Sequence, residues 1–338
     1  MTVRGPLETL RLLRKLYRME RSSPGRSFAP DLWIAGFFSQ RRELYPFKSF
    51  DRRWFLTDWE IESRLGLVND AKTIPLLDNK LLFNLILAHG PLAGALPRLV
   101  GMVANGSFRS LGPYATLAQA LQDQASLISK PVDGAGGTGV TIVREEGDLP
   151  REGTFLVEER IRQHEYAERI FPDSLNTIRV VTMTDRDGRE AIIAGAAHRF
   201  GCARSAPVDN FKRGGLSALV DLETGRLSAG RTNPGLHASS LHARHPETGE
   251  AVAGVTVPHW NEAKAMSLKL ARLFPGLYHV GWDICITAQG PRLIEGNSRL
   301  ANPNLIQAHA PILLDPKIRD FLRRHGVLSA RRARRLES

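Results

Sequence analysis

Residues 130–143 read KPVDGAGGTGVTIV, placing four glycines, Gly134, Gly136, Gly137 and Gly139, behind Lys130. Glycines let backbone N–H groups approach phosphate oxygens with no Cβ in the way, and a lysine on the leading strand reaches the same oxygens from beneath. The alternative is an ordinary tight turn. The loop also spells G-x-G-x-x-G, but a dinucleotide site needs a helix directly after the glycines, and here the β-branched VTIV follows. A Walker A loop fails because no Lys-Ser or Lys-Thr comes next. GAGGTGV fits the strand–loop–strand lid of a protein kinase, yet no V-A-I-K, H-R-D or D-F-G element follows. A flexible glycine hairpin over phosphates is what remains.

A second constellation lies in GWDICITAQGPRLIEGN, residues 281–297. A hairpin turning around Gln289 sets Asp283 directly opposite Glu295, and the pleat's period of two puts Asn297 on the same face. Ile284, Ile286 and Ile294 then line the other face as a core contact. Facing carboxylates repel, and no lysine neighbours them in sequence. Two carboxylates and an amide oxygen on rigid strands suit Mg²⁺, a hard ion that shares oxygen ligands with phosphates. The alternative is a solvated acidic face with lysine partners.

The elements that must carry these residues follow from patterning. Residues 1–75 read as mostly helical, and Trp33, Trp54 and Trp59 make this a packed piece. DNKLLFNLILAHG, 78–90, is a helix with Asp78 as N-cap and Gly90 as its stop, and TLAQALQD, 116–123, is another. After SLISK the character changes to strands, in SLISKPV, GVTIVRE, TFLVEERI, TIRVVTMTD and EAIIAGAAHRF. LSALVDLETGRLSAG is a hairpin turning at Thr224–Gly225. WNEAKAMSLKLARLFPG is a helix with Met266, Leu270 and Leu273 on one face and Gly276 beyond its end, and two C-terminal helices close the chain. The sum is an α+β chain with mostly antiparallel sheets.

Bulk properties narrow the partners. The chain has 338 residues, long enough for two or three domains, and its 46 Lys+Arg against 35 Asp+Glu leave a net charge of +11. That excess favours anionic partners and is concentrated at the two ends, which read as solvated terminal helices and a frayed tail. No zinc-finger or RNA-binding signature is present, so no nucleic acid is expected as partner. Cys202 and Cys285 are too few for a disulfide framework, no apolar run is long enough to span a bilayer, and the basic N-terminus lacks a signal-peptide core. A cytoplasmic protein is expected, with a homodimer compatible with the reading.

Together the two constellations resemble the ATP-grasp superfamily, in which a glycine hairpin on one subdomain and a carboxylate–carboxylate–asparagine site on another clamp ATP between them. The resemblance covers roughly residues 76–312. It implies the ATP-grasp fold, two α/β subdomains with ATP and two Mg²⁺ ions between them. Lys80, in DNKLLFN, matches the family's first nucleotide lysine and Lys130 its second. FLVEERI matches the strand that meets adenine, which implies Glu158 and Glu159 near base and ribose and backbone contacts through Ile161. LNTIRVV places Arg179 as a phosphate-side arginine. AAHRFGCARSAPVDNFKRGG is similar to a segment of the glutamate-ligase branch, implying Arg199 as stabiliser of an acyl phosphate and Asn210 as a nearby polar contact. The metal ligands carry over as Asp283, Glu295 and Asn297. RRWFLTD, EERIRQHEYAERIFPDSLNTIRVVT, VGWDI and IEGN look more narrowly like the sugar-transfer-associated ATP-grasp family. One departure is Ser298-Arg299-Leu300 after EGN, where the glutamate-ligase branch continues with small residues and proline. Arg299 is either a contact to acidic substrate or nucleotide, or a structural ion-pair residue.

The resemblance implies a helical segment over 1–75 serving as lid or substrate domain, and subdomains over 76–158 and 159–325 that carry the glycine loop and the metal site. A basic tail over 326–338 follows. It further implies an ADP-forming carboxylate–amine ligase working through an acyl phosphate, on a small-molecule or peptide carboxylate and an amine-type acceptor. A small-molecule kinase on the same fold and a non-catalytic nucleotide- or polyanion-binding module are the rivals. His237, His242 and His245 have a spacing that suggests a metal cluster, but they lie in a loop with nothing to fix ligand geometry. His164 and His198 border the expected nucleotide cleft, as acid–base groups or simply as hydrogen-bonded side chains, and Cys202 reads as an apolar filler.

Overall fold

The computed structural model describes residues 6–21, 28–134, 136–233, 240–299, 301 and 303–337. The N-terminal quarter is helical: α1 (Pro6–Arg21), α2 (Pro30–Ile34), α3 (Arg41–Leu44), α4 (Asp58–Ser63), α5 (Pro75–Asp78) and α6 (Lys80–Ala88). Short helices are marginal alone, and capping and packing hold these. Thr57 and Glu60 form a capping box at the start of α4. Asp58 of the same turn takes a two-pronged, fully buried ion pair from Arg41, with Nη2 to Oδ1 at 2.7 Å. Phe37, Tyr45 and Phe55 pack with Leu305 and Ala308, so this segment is fastened to the C-terminal half. Trp33 and Trp59 meet edge to face at 5.6 Å, as a packed piece requires.

The first sheet contains β1 (Leu99–Ala104), β2 (Ser107–Ser110), β3 (Leu127–Pro131), β4 (Thr141–Val143) and β5 (Thr154–Glu159), in the antiparallel order β2-β1-β5-β3-β4. Strand character thus begins at Leu99, ahead of SLISK. The signal was Asn105-Gly106, a two-residue turn with both φ angles positive, at 49° and 77°. One helix, α7 (Leu117–Asp123), connects β2 to β3, opened by a Thr116–Gln119 capping box. The 78–90 helix is divided. Asp78 ends α5, and Asn79 is the N-cap of α6, its side chain accepting from the Leu82 N–H.

The second sheet contains β6 (Ile178–Thr184), β7 (Ala191–Phe200), β8 (Leu216–Leu219), β9 (Gly230–Thr232), β10 (Leu241–His242), β11 (His279–Thr287) and β12 (Gly290–Asn297), in the order β10-β9-β8-β7-β6-β11-β12 with antiparallel neighbours. The short α8 (Glu165–Ile170) precedes it, and α9 (Trp260–Leu273) lies across one face, packing Ala263, Met266 and Leu270 against Val180, Trp282 and Ile284. The opposite face carries Val181 and Met183 against α11 (Pro316–Arg324) and α12 (Ala330–Glu337), and Ala197 against Leu305 of α10 (Pro303–Gln307). Residues 330–337, expected within a basic tail, are therefore a docked helix with Ala333 and Leu336 buried. Among the described residues no helix is long and apolar enough to cross a membrane.

Candidate active site

Asp283 and Glu295 are paired across β11 and β12, as the hairpin spacing anticipates, but by a different route. The turn pairs Thr287 with Gly290, so it is centred between Ala288 and Gln289, and a bulge between the Ile284–Leu293 and Asp283–Glu295 pairs restores the register. The extra residue is Ile294. Leu293 takes the core position opposite Ile284, and Ile294 is only half-buried, which corrects the expectation that Ile294 lines the core.

The carboxylates are not left to repel. Ladder pairing sets Arg179 of β6 beside Asp283, where its Nε donates to Oδ1 at 2.5 Å and Nη2 to Oδ2 at 2.9 Å. Arg199 of β7 adds Nη2 to Asp283 Oδ2 at 3.1 Å and to Asp209 Oδ1 at 3.3 Å. Burial works to raise Asp283, but Arg179 and Arg199 outweigh it and hold the carboxyl well below its usual range. Glu295 goes the other way: burial and the charge of Asp283 push it up, with Lys80 opposing. Asn297 Nδ2 lies 3.4 Å from both Asp283 Oδ2 and Glu295 Oε1, closing a three-residue oxygen-bearing cluster. Two facing carboxyls, with an amide that can turn its oxygen inward, fit a hard divalent cation.

The glycine hairpin faces this cluster from the first sheet. Lys80, at the first position of α6, donates from Nζ to the Gly134 carbonyl at 2.7 Å and stands 4.0 Å from Glu295 Oε2. Burial lowers Lys80 below its ordinary value, with Glu295 opposing. Lys130 is held under the hairpin by Glu158, at 2.6 Å, and Asn84 Nδ2 donates to the same carboxylate at 3.0 Å. Gly136, Gly137 and Gly139 have φ near +70° to +77°, the region that glycine alone adopts freely. Gly137 sits against Val208, and Asn210 Nδ2 donates to the Gly136 carbonyl at 2.7 Å. Asn210 thus clasps the hairpin, a role that spacing did not suggest.

At the end of β5, Glu159 is paired with Arg292 at 2.5 Å and lies 3.7 Å from Arg98. Burial favours its neutral form, but a backbone hydrogen bond from Arg98 and the Arg292 guanidinium prevail and lower it. Ile161 follows, half-buried, in the connection to α8. Arg299 pairs with Asp78 at 3.2 Å on an exposed edge, which matches the ion-pair alternative.

Several residues of the cleft went unread in the sequence. Asp209 takes the Thr177 N–H at 2.7 Å and the Thr177 hydroxyl at 2.6 Å, and so steadies Arg199. Register aligns Arg199, Ser217 and Arg231 across β7, β8 and β9, a polar row continuing from the carboxylates. Ser217 Oγ lies 3.1 Å from His309 Nε2, and burial lowers that imidazole to about 3, so it stays neutral. Alternation along β8 and β9 was the available signal, but those strands are too short to show it.

The other described histidines singled out in the sequence make local contacts. His198 points to the face opposite Arg199, lying 2.7 Å from the Tyr166 hydroxyl, and burial lowers it to about 3. This removes it from the cleft. His164 caps α8. His242 lies 2.7 Å from Ser240 Oγ, and His245 is buried at 2.9 Å from the Gly201 carbonyl. His237 lies outside the described residues, and among those described no group of three His, Cys, Asp or Glu residues could hold a metal. Cys202 is buried, as an apolar filler should be.

Residues 149–310 match the family model described as sugar-transfer associated ATP-grasp. No curated protein matches the chain. Solved structures with similarity include the D-alanine-D-alanine ligase from Coxiella burnetii, at 13% identity and TM-score 0.41, covering 76% of this chain and 61% of that one. Biotin carboxylase from Campylobacter jejuni follows at 13% identity and TM-score 0.43, covering 77% and 48%. N5-carboxyaminoimidazole ribonucleotide synthetase from Thermotoga maritima is similar at 12% identity and TM-score 0.40, covering 67% and 43%. The chain spans less than two thirds of the length of each. The glycine hairpin set over a carboxylate–carboxylate–asparagine cluster, with that family-model match over 149–310, supports the ATP-grasp superfamily and the ATP-grasp fold for this chain.

Proposed function

We propose that the chain is an ATP-dependent carboxylate–amine ligase that works through an acyl phosphate. The observation carrying this reading is the facing Asp283–Glu295 pair lying opposite the glycine hairpin, with Lys80 bonded to the Gly134 carbonyl and 4.0 Å from Glu295. In this reading residues 76–158 and 159–325 are the two subdomains and residues 1–75 cover the substrate side. ATP lies in the cleft with its phosphates beneath Gly134–Gly139 and between Lys80 and Lys130, and its base beside Glu158, Glu159 and Ile161. Asp283, Glu295 and Asn297 would hold Mg²⁺, two ions by the resemblance, which when bound neutralises phosphate charge.

The chemistry asked of the chain is positioning and charge. A substrate carboxylate oxygen bonds to the γ-phosphorus as the bond to ADP breaks. Arg199 faces the oxygens on which charge develops, and Arg179 keeps Asp283 ionised. An amine then attacks the acyl carbon, phosphate departs, and the amine gives up a proton. The row of Arg199, Ser217 and Arg231 suits the anionic end of a carboxylate substrate. The Gly136–Asn210 contact keeps water from the acyl phosphate.

Thermal unfolding with Mg²⁺ and a non-hydrolysable ATP analogue tests the reading. Nucleotide at about 100 times its dissociation constant adds roughly 2.7 kcal/mol, and the wild type is expected to shift accordingly. Glu295→Gln keeps the shape of the side chain without its charge and should fold normally while losing the Mg²⁺-dependent part of the shift. No shift in the wild type at saturating nucleotide would sink the proposal. ADP release that requires both a carboxylate and an amine then separates ligase from kinase, since a kinase yields a stable phosphorylated product without an acceptor.

A further inference from the structure

The basic helices α1 and α12 are both fastened to the protein. Helix α1 is fixed by Leu16, which is fully buried, by Lys15 pairing with Glu62 of α4 at 2.8 Å, and by Glu20 accepting the Ser39 N–H at 3.0 Å. Its other faces are then presented to solvent in a fixed orientation. Leu10, Leu13 and Tyr17, at i, i+3 and i+7, form one stripe and are 45%, 39% and 54% exposed. Arg11, Arg14, Arg18 and Arg21 form the adjacent stripe, all exposed, with the Arg21 guanidinium 5.9 Å from the Tyr17 ring centre. The apolar surface continues beyond the helix. Ser39, which binds Glu20, also accepts the Ala29 N–H at 2.8 Å, and on that segment Phe28 and Ile34 are 55% and 84% exposed.

We propose that this face of α1 docks the protein on an anionic lipid surface. A helix that buries one stripe in its own protein has no internal use for a second apolar stripe beside four arginines. A bilayer interface uses both, taking leucines and tyrosine at the acyl boundary and arginines at the headgroups. The charge pattern selects this occupant. The one acid among the described side chains of α1, Glu20, is turned inward to Ser39, so the charges exposed over residues 10–21 are all cationic. A second copy of the chain would set arginine stripe against arginine stripe. Duplex nucleic acid would engage the arginines and leave Leu10, Leu13 and Tyr17 in water. At the far end of the chain α12 docks on the other side of α4, through Arg332 and Glu60 at 3.3 Å, and exposes Arg331, Arg334 and Arg335, which add to the attraction.

The full chain is tested by co-sedimentation with phosphatidylcholine vesicles and with vesicles of phosphatidylcholine and phosphatidylglycerol in equal parts. Binding is expected to the mixed vesicles alone and to weaken with salt. Arg14→Ala with Arg18→Ala should cut affinity by about fivefold per arginine. Leu13→Ser with Tyr17→Ser should weaken binding by about tenfold or more although no charge changes. All four side chains are exposed, so unchanged melting temperatures are expected for both variants. The proposal is overturned if the wild type stays in solution with anionic vesicles. It is equally overturned if the Leu13/Tyr17 variant binds them as well as wild type, which marks a general polyanion surface that duplex DNA would also occupy. A wild-type dimer that the same variant converts to monomer would assign the stripe to a second copy and overturn it too.

Discussion

Asn210 and Gly136 join the two halves of the cleft: the amide of Asn210, in the loop between β7 and β8, donates to the carbonyl at the tip of the glycine hairpin at 2.7 Å. The same side chain accepts the Lys212 N–H at 2.9 Å through Oδ1. One residue thus ends a loop on the second sheet and clasps the glycine hairpin from the first. Glycine hairpins have little side-chain packing to fix them, so a single hydrogen bond has leverage over where this one rests.

Asn210→Asp separates the two roles. The aspartate keeps the acceptor toward Lys212 but loses the donor and faces the Gly136 carbonyl with a negative charge. Folding stability should change by no more than about 1 kcal/mol, while affinity for an ATP analogue falls several-fold. Asn210→Ala should lose both. Isothermal titration beside chemical denaturation reads the difference, and equal nucleotide affinity in Asn210→Asp and wild type would refute the clasp.

Gly137 tests the seat of the hairpin. A Cβ there would come within 2.8 Å of Val208 Cγ1, and the φ of +72° is strained for any other residue. Gly137→Ala should lift the hairpin from Val208, raising protease cleavage at residues 134–139 and weakening nucleotide binding by about tenfold. Adding Val208→Ala removes the contact but not the backbone strain, so recovery should be partial. Gly188→Ala is the control, with φ of +70° and nothing within 4 Å. It should cost stability alone.

The Lys130–Glu158 pair sits almost wholly out of water. Lys130→Ala leaves a buried carboxylate without its ion pair, the Asn84 hydrogen bond remaining, and should cost about 3–5 kcal/mol in urea unfolding. Lys130→Met with Glu158→Gln removes both charges and should be far milder. If the double variant is as unstable as the single one, the loss comes from packing and not from an orphaned charge.

Acid stability should be governed in part by His198 and His279, which burial lowers to about 3 and about 4. Each is neutral when folded and takes a proton on unfolding once pH drops below its ordinary value of 6.5. Their folded values are depressed, so the stability they confer is complete above that value and is lost as pH falls toward the folded ones. Each should contribute about 1.4 kcal/mol per pH unit to the slope across that window. His279→Gln should remove one such share. An unchanged slope between pH 6 and 4.5 would show that His279 already ionises in the folded state.

Much of the site was legible because strand and hairpin spacing are local. GAGGTG between two β-branched runs defines a glycine hairpin, and the 281–297 hairpin places two carboxyls on one face because side chains alternate with period two. Even there the register held only because a bulge at Ile294 offset a turn centred half a residue from the expected position. The arginines that neutralise Asp283 could not be found this way. Arg179 lies 104 positions away in sequence, and its place beside Asp283 follows from the pairing of β6 with β11, which spacing within either strand does not specify. The same holds for Asn210 on Gly136, for His198 turned to the core while Arg199 faces the cleft, and for the two basic ends gathered on α4. Local pattern decides which residues share a face; only long-range packing decides which faces meet, and the charge balance of this site is set where they meet.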